Sequence, residues 1–362
     1  ETNMSSTKAE LNRFVKADDA KGFTVSILTK HQVGHDDAVA VADCLVEADL
    51  RGVQTHGLSR LPVYVERLQR SMVNPRPAMK LTRPTAVCGS LDGDNGFGFL
   101  VGRRGMAEAM AMATEYGVGI VAAHNSNHFG MAASYLLQAV KAGYLAFVFT
   151  NAAASMPPWG GREGLFGTNP FAAGAPSGNE VPFILDMSPA VAARGKIRLA
   201  EKRGESIPEG YALDKDGRNT TDPTAALAGV VLPIGGYKGS GLSMLIDILS
   251  GGLSGAGFAG GVNDQYHNWD DTQNVGHFFM ALKPGVFIAE KDFRDRMDIL
   301  VKRVKAVPLA DGFDEILMPG EKEARLADER LKNGIPYAAA DLALLEKLAL
   351  ANAVTPLAFT KA

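Results

Sequence analysis

Cysteine is nearly absent: Cys44 and Cys88 are the only two in 362 residues, far apart and without CxxC or histidine-rich neighbours. Neither a disulfide framework nor a metal knuckle is encoded, and both read as small buried apolar groups. Charge of one sign is not in excess either, since 37 Lys and Arg stand against 40 Asp and Glu. A net charge of −3 leaves no broad basic field to release counterions from a phosphate backbone, so nucleic acid is not an expected partner. Long apolar runs are missing as well. The most apolar stretch, residues 143–154, falls well short of the roughly 20 residues a membrane-spanning helix needs, and reads as a buried strand and loop. The opening ETNMSSTKAELNRF has no apolar segment after its charges, so no secretory signal is expected; Met4 is read as the start and the cytoplasm as the location. Repeats and low-complexity segments do not stand out. What remains, 46% hydrophobic and 21% charged residues, is ordinary globular usage, in a chain long enough for one large domain or two lobes.

Helical periodicity is clearest from Asp36 to Leu50, where Val41, Cys44, Leu45 and Ala48 share one face and Asp36 or Asp37 is placed to cap the start. THGLSR then reads as a turn between helices, with Pro62 in the first turn of the next. After Pro75, Pro77 and Pro84 come LDGDNGFGF, a helix with Met106, Met110 and Ala113 on one face, and the strand-like VGIVAA. The turn HNSNHFG, a helix from Met131 to Lys141, the strand YLAFVFT, a long Gly/Pro-rich loop and a strand from Pro182 to Met187 follow. Helix is expected again at Ser240–Ser250, Phe293–Val304 and Ala339–Leu350, and strand at GHFFMALKP. Strands alternating with helices predict an α/β class with an at least partly parallel sheet. The helical ends predict a discontinuous helical lobe, residues 1–85 plus 300–362, packed on a central lobe, residues 86–299.

Glycine motifs deserve separate weighing. A Rossmann site needs GxGxxG after a strand and opening a helix, so that the helix N-terminus faces a pyrophosphate. Gly255-Ala256-Gly257-Phe258-Ala259-Gly260 is the one match, yet it follows the helical SMLIDILS and opens into a polar loop; it reads as a Gly-rich helix end. GGYKGSG at 235–241 lacks P-loop spacing. Lys238 among its glycines, just before a helix, is still placed to meet a phosphate, the bland alternative being a solvated lysine. His124 and His128 have HxxxH spacing, but Asn125, Ser126 and Asn127 between them read as turn, and no third ligand is evident. No metal is expected.

Six segments occur in one order over most of the chain: THGLSR at 55–60, NHFG at 127–130, LFGTNP at 165–170, ILDM at 184–187, GGYKGSG at 235–241 and MPGE at 318–321. Together they closely resemble the type-2 malate/L-lactate dehydrogenase family, which also holds ureidoglycolate and sulfolactate dehydrogenases, diketogulonate reductase and cyclic-imine 2-carboxylate reductases. The resemblance implies a mixed-sheet α/β fold that binds NAD(P) without a Rossmann glycine loop, usually in a homodimer. Matched position by position, it implies cofactor contacts at His128, Phe129 and Gly130, at Thr168, Asn169 and Pro170, at Asp186, Met187 and Ser188, at Tyr237, Lys238 and Gly239, and at Pro319, Gly320 and Glu321. The central lobe becomes the nucleotide lobe, and the helical lobe the substrate and dimer lobe. The reacting group would lie near His56, Arg60, Tyr64 and His128.

That chemistry suits the residue types. Moving a hydride from a carbon bearing a hydroxyl requires a base for the hydroxyl proton, and the reverse requires an acid; histidine serves both. His56 has Thr55 beside it to orient its ring and Arg60 nearby to hold a carboxylate with two parallel bonds. His128 sits in a turn after a strand, where functional loop residues gather, and the choice of proton carrier between the two stays open. Asp186 ends a strand, to pair with a catalytic histidine, to contact cofactor, or merely to cap a helix. The expected reaction is hydride transfer between NAD, or NADP, and the α-carbon of a small 2-hydroxy or 2-keto carboxylate. The alternatives are NADPH-dependent reduction of a cyclic imine carboxylate, disfavoured by Tyr237 and by ARGKI at 193–197, and a non-catalytic nucleotide-binding protein, disfavoured by the presence of His56, Arg60 and His128.

Overall fold

The computed structural model describes residues 13–361, so the reading of Met4 as the start lies outside the described residues. Strand β1 (Arg13–Val15) leads into helices α1 (Ala17–Lys30) and α2 (His35–Leu50). Val41 and Leu45 of α2 are fully buried, and burial of each such side chain stabilises by about 1.5–3 kcal/mol. The capping expectation is corrected: Gly34, with extended backbone, holds the N-cap position without a side-chain bond. Asp36 and Asp37 stand in the first turn, where their charge meets the positive end of the helix dipole. Two 3-10 turns, Gln54–His56 and Leu58–Arg60, carry the THGLSR segment into α3 (Leu61–Gln69), with Pro62 in its first turn.

The sheet begins with β2 (Lys80–Thr82) and β3 (Cys88–Asp92), then α4 (Gly98–Tyr116), β4 (Val118–Ser126), α5 (Ala133–Lys141), β5 (Leu145–Thr150), β6 (Phe171–Ala175) and β7 (Phe183–Met187). A small appendage follows: α6 (Arg194–Arg203), β8 (Ala212–Leu213), β9 (Asn219–Thr220), α7 (Pro223–Ala228) and β10 (Val230–Val231), closed on Ile197, Ile207, Ala212, Ala226 and Val231. Next come α8 (Tyr237–Asp247), a π-turn Ile248–Gly252, β11 (Val275–Leu282), α9 (Glu290–Lys305), α10 (Glu321–Asn333), β12 (Ile335–Pro336), α11 (Ala339–Ala351) and β13 (Thr360–Lys361).

The seven-stranded order is β2-β3-β4-β11-β5-β6-β7. It is a mixed sheet, but only β3 and β4 run parallel. β11 arrives late in the chain and inserts between β4 and β5, antiparallel to both. Alternating helices and strands therefore do not make a parallel stack here, because a strand distant in sequence takes the central position. One core joins α1, α2, α3 and the start of α4 with Ile335, Leu342 and Leu345 from the C-terminal part; a second lies between the sheet and α4 and α5. A three-stranded antiparallel ribbon, β12-β1-β13, ties the two terminal segments together.

Candidate active site

Buried Asp49 near the end of α2 fixes the THGLSR turn. Its carboxylate accepts the Leu58 N–H at 2.9 Å and the Tyr337 hydroxyl at 2.6 Å. The carboxylate also lies directly against Gly57, where a Cβ would come within 1.8 Å of Asp49 Oδ1. Only glycine leaves room for that approach. Gly57→Ala is expected to destabilise by about 1–3 kcal/mol through overpacking and to shift His56 with the turn; an unchanged denaturation midpoint would mean that Asp49 yields freely.

NHFG is placed by a similar close approach. A Cβ on Gly98 would stand 2.0 Å from the Asn127 carbonyl, so the start of α4 tolerates no side chain there. The buried Asn127 amide donates to Asn95 Oδ1 and the Gly96 carbonyl at 3.0 and 2.9 Å, and the His128 N–H donates to Gln273 Oε1 at 3.1 Å. The loop is held from both sides before its histidine enters the site.

His56 and His128 meet, their rings stacked with centroids 5.5 Å apart and planes 24° from parallel. Thr55 Oγ1 lies 2.9 Å from His56 Nδ1, and the Tyr64 hydroxyl 2.8 Å from His128 Nδ1. Each bond fixes one ring nitrogen and leaves Nε2 without a hydrogen-bond partner among the described residues. Burial, with the charge of Arg60, pulls His56 down to about 4. Burial, then His56 and Arg60, hold His128 well below its ordinary value. Both rings are neutral at pH 7, the form that accepts a proton. Burial, dominant, pushes Tyr64 well above its ordinary value against the pull of Arg60, so its hydroxyl keeps its proton.

Arg60 closes the constellation. Its Nε donates to the Thr55 carbonyl and its guanidinium lies over the Tyr266 ring, 5.2 Å from the centroid. Among the described residues no carboxylate pairs with it. Its half-buried charge is thus available to an incoming anion, which burial makes more favourable.

The remaining motifs converge on β7. Ile184 N–H donates to the Pro319 carbonyl at 3.0 Å, which docks the MPGE turn. Asp186 Oδ2 accepts the Ala133 N–H of α5 at 2.8 Å. Ser188 Oγ donates to the Thr168 carbonyl at 3.2 Å, and Ile234 N–H to Pro189 at 2.7 Å. Gly239 packs against the Pro189 carbonyl. Tyr237 and Lys238 stand exposed where α8 begins.

Not every side chain named from the sequence faces open space. Asn169 is fully buried, its amide engaged by Ala152 N–H and the Ser243 carbonyl. Glu321 is buried with Lys305, Arg325 and the Met318 N–H; burial would raise its pKa, but these partners hold it below the usual range. Phe129 is buried in a stack on His277, 4.8 Å between centroids. Asp186 bonds to the start of α5 and to neither histidine. The Gly255–Gly260 run follows the π-turn and opens no helix; Asn151 donates to the Gly257 carbonyl and Asp247 accepts the Ala259 N–H. Sequence reasoning missed Gln273 and Tyr266, which reach the site from a polar loop, and His277, whose signal is a histidine within the apolar strand GHFFMAL.

Two facing imidazoles, a guanidinium without an acidic partner among the described residues and a glycine-rich helix entry beside exposed hydroxyls suit a hydride-transferring oxidoreductase. The chain belongs to the malate/L-lactate dehydrogenase family, whose profile matches residues 15–346. It is 40% identical over 311 residues to the L-sulfolactate dehydrogenase of Methanocaldococcus jannaschii, covering 86% of this chain and 89% of that one. With the malate dehydrogenase of Pyrococcus abyssi it shares 38% over 330 residues, 89% and 90% of the two chains. The solved structure of the M. jannaschii sulfolactate dehydrogenase superposes with a TM-score of 0.90 at 37% identity, over 94% of this chain and 98% of that one. Cofactor names differ among relatives: NADP(+) for the (2R)-3-sulfolactate dehydrogenase of Chromohalobacter salexigens, 36% identical over 76% of this chain and 83% of its own, and NAD(+) for the ureidoglycolate dehydrogenase of Escherichia coli, 34% identical over 80% and 82%. This chain is an oxidoreductase of the 2-hydroxy acid dehydrogenase type, with a nicotinamide cofactor. No helix among its described residues is long and apolar enough to cross a membrane.

Proposed function

We propose that the protein oxidises a small 2-hydroxy carboxylate, and reduces the matching 2-keto acid, by hydride exchange with NAD. The observation that carries this reading is the His56–His128 stack beside an Arg60 that has no acidic partner among the described residues. Arg60 holds the substrate carboxylate by two parallel bonds. In oxidation one imidazole accepts the hydroxyl proton through Nε2 while the hydride leaves the α-carbon; in reduction the same nitrogen returns a proton to the forming alkoxide.

The corner around β7 suits a nicotinamide dinucleotide. Gly235 and Gly236, at φ of +60° and +63°, turn the chain into α8, whose N-terminal amides and Lys238 favour a pyrophosphate. Thr168, Ser188 and Asp186 offer polar contacts beside it. Bound there, the nicotinamide supplies the hydride acceptor or donor. The protein's own part is orientation, charge neutralisation and proton handling. On this reading residues 86–299 carry the nucleotide, and residues 1–85 with 300–362 carry the substrate anchor. A homodimer is part of the proposal, supported by the exposed apolar stripe Met244, Leu245, Ile248 and Leu253 along α8 and its π-turn.

The test is a screen at 340 nm of NADH and NADPH against 2-keto acids and a cyclic imine carboxylate, with hydroxy acids in reverse. Turnover of the imine alone would transfer the assignment to imine reduction, the activity named for a solved neighbour from Pseudomonas syringae with a TM-score of 0.84 at 28% identity, covering 93% of this chain and 99% of that one. The pH profile is a second check. With His56 at about 4 and His128 held well below its ordinary value by burial, kcat/KM for oxidation is expected to stay flat from pH 8 to about 5. Reduction, which starts from the protonated ring, is expected to fall about tenfold for each unit by which the pH rises from 5 to 8. The difference of one unit in slope matches the one proton released per oxidation; an acid limb at about pH 6–7 in oxidation would show that the base is not held neutral down to about pH 4.

A further inference from the structure

The polar loop between the π-turn and β11 is anchored to the site at three places. Arg67 of α3, only 1% exposed, donates to the carbonyls of Gln265 and Asn268 at 3.4 and 3.2 Å. Trp269 stands under two guanidiniums, those of Arg67 and Arg70, at 5.8 and 4.6 Å from its centroid. Gln273 receives the His128 N–H at 3.1 Å. These ties hold Tyr266 beneath Arg60, with 5.2 Å between the guanidinium carbon and the ring centroid.

A guanidinium resting on an aromatic face keeps its plane while its N–H edge remains free. Arg60 is also held at Nε by the Thr55 carbonyl. The terminal nitrogens then present one fixed edge, and a carboxylate meets it with two bonds in that plane.

We propose that Tyr266 is a positioning residue for the substrate carboxylate: its ring fixes the plane of Arg60, and the loop carried by Arg67 exists in part to place that ring. This deepens the hydroxy-acid reading and rests on Arg60 as the carboxylate anchor. The ring is what matters, so phenylalanine preserves the function and alanine removes it. In a lysine variant of Arg60 there is no plane to fix, and the ring loses its purpose.

The experiment compares Tyr266→Phe, Tyr266→Ala, Arg60→Lys and the Arg60→Lys/Tyr266→Ala double variant in the full-length protein, each checked for an unchanged melting temperature. Readouts are KM and kcat for the keto acid turned over best, and the dissociation constant of oxamate with NADH present by calorimetry. Expected results are KM and oxamate Kd raised about tenfold in Tyr266→Ala with kcat within threefold, near wild-type values in Tyr266→Phe, and less than a threefold further effect of Tyr266→Ala once Arg60 is lysine. Equal losses in Phe and Ala variants would overturn the proposal in favour of the hydroxyl, and full additivity with Arg60→Lys would overturn it in favour of a general structural role. A wild type that turns over keto acids but shows no change in Tyr266→Ala sinks this inference alone. A wild type that binds no oxamate removes the anchor itself and with it the inference, whereas the hydride-transfer reading stands or falls separately in the substrate screen.

Discussion

Alanine at His56 or at His128 is expected to lower kcat by about 10²- to 10⁴-fold for whichever ring transfers the proton, and by less for its neighbour. The two rings share a stack, so position alone does not rank them. Their partners do provide a way to rank them. The Thr55 hydroxyl bonds the His56 ring, and the Tyr64 hydroxyl the His128 ring. Removing the hydroxyl beside the proton-carrying ring, by Thr55→Val or Tyr64→Phe, leaves that Nδ1 unpaired and shifts its titration; removing the other leaves the pH profile in place. The assignment is therefore read from which hydroxyl deletion moves the pH–rate curve. If neither alanine variant loses about 10²-fold, neither imidazole is the acid or base.

The second large effect concerns stability. His277 is fully buried between Ser126 Oγ and Thr150 Oγ1, each 2.7 Å from a ring nitrogen, and burial pulls it down to about 3. An unfolded histidine titrates near 6.5. Between these values the unfolded chain takes up a proton that the folded one refuses, so this stability is full above about pH 6.5 and is lost as pH falls toward 3. The shift is on the order of 5 kcal/mol. Asp49 acts in the opposite sense. Burial outweighs its bonds from Leu58, Tyr337 and the charge of Arg330 and lifts it to about 7, so folding holds a proton that the unfolded carboxyl has lost. That contribution is absent below about pH 4 as a difference between states and becomes a penalty on the order of 4 kcal/mol as pH rises to 7. The two nearly cancel each other, while His56 and His128, also held neutral by burial, add to the loss of stability on the acid side. Single variants expose them. Relative to wild type, His277→Gln should gain stability steadily as pH falls from 7 to 4, and Asp49→Asn should lose it. Guanidinium titrations at several pH values measure both, and parallel curves for wild type and His277→Gln would show that His277 is not held neutral.

The sequence disclosed the residues of the candidate site far better than the arrangement of the sheet. Periodicity marked α2 because its apolar residues follow 3.6 per turn, and the turn residues around His56 and His128 marked loops. α10 escaped because EKEARLADERLKN is polar on nearly every face, although Gly320 and Gly334 bracket it. Insertion of β11 between β4 and β5 is a contact between distant segments, for which no local pattern exists. Asp186 was legible as a strand-end acid, but its partner, the first turn of α5, lies 53 residues away. Tyr266 lay hidden for a different reason: a loop reading NDQYHNWDD looks solvated until Arg67 is seen to be buried beneath it. In each case the missing information was a tertiary neighbour, not a misread propensity.

The terminal ribbon has one more implication. Arg13 registers with Lys361 and Phe14 with Thr360 on adjacent antiparallel strands, so two points almost the whole chain apart in sequence lie about 5 Å from each other. A covalent link between those two strands would close a loop of nearly the whole chain without bending either of them. The closed loop's unfolded state would have less freedom to lose on folding, so such a link should stabilise the protein.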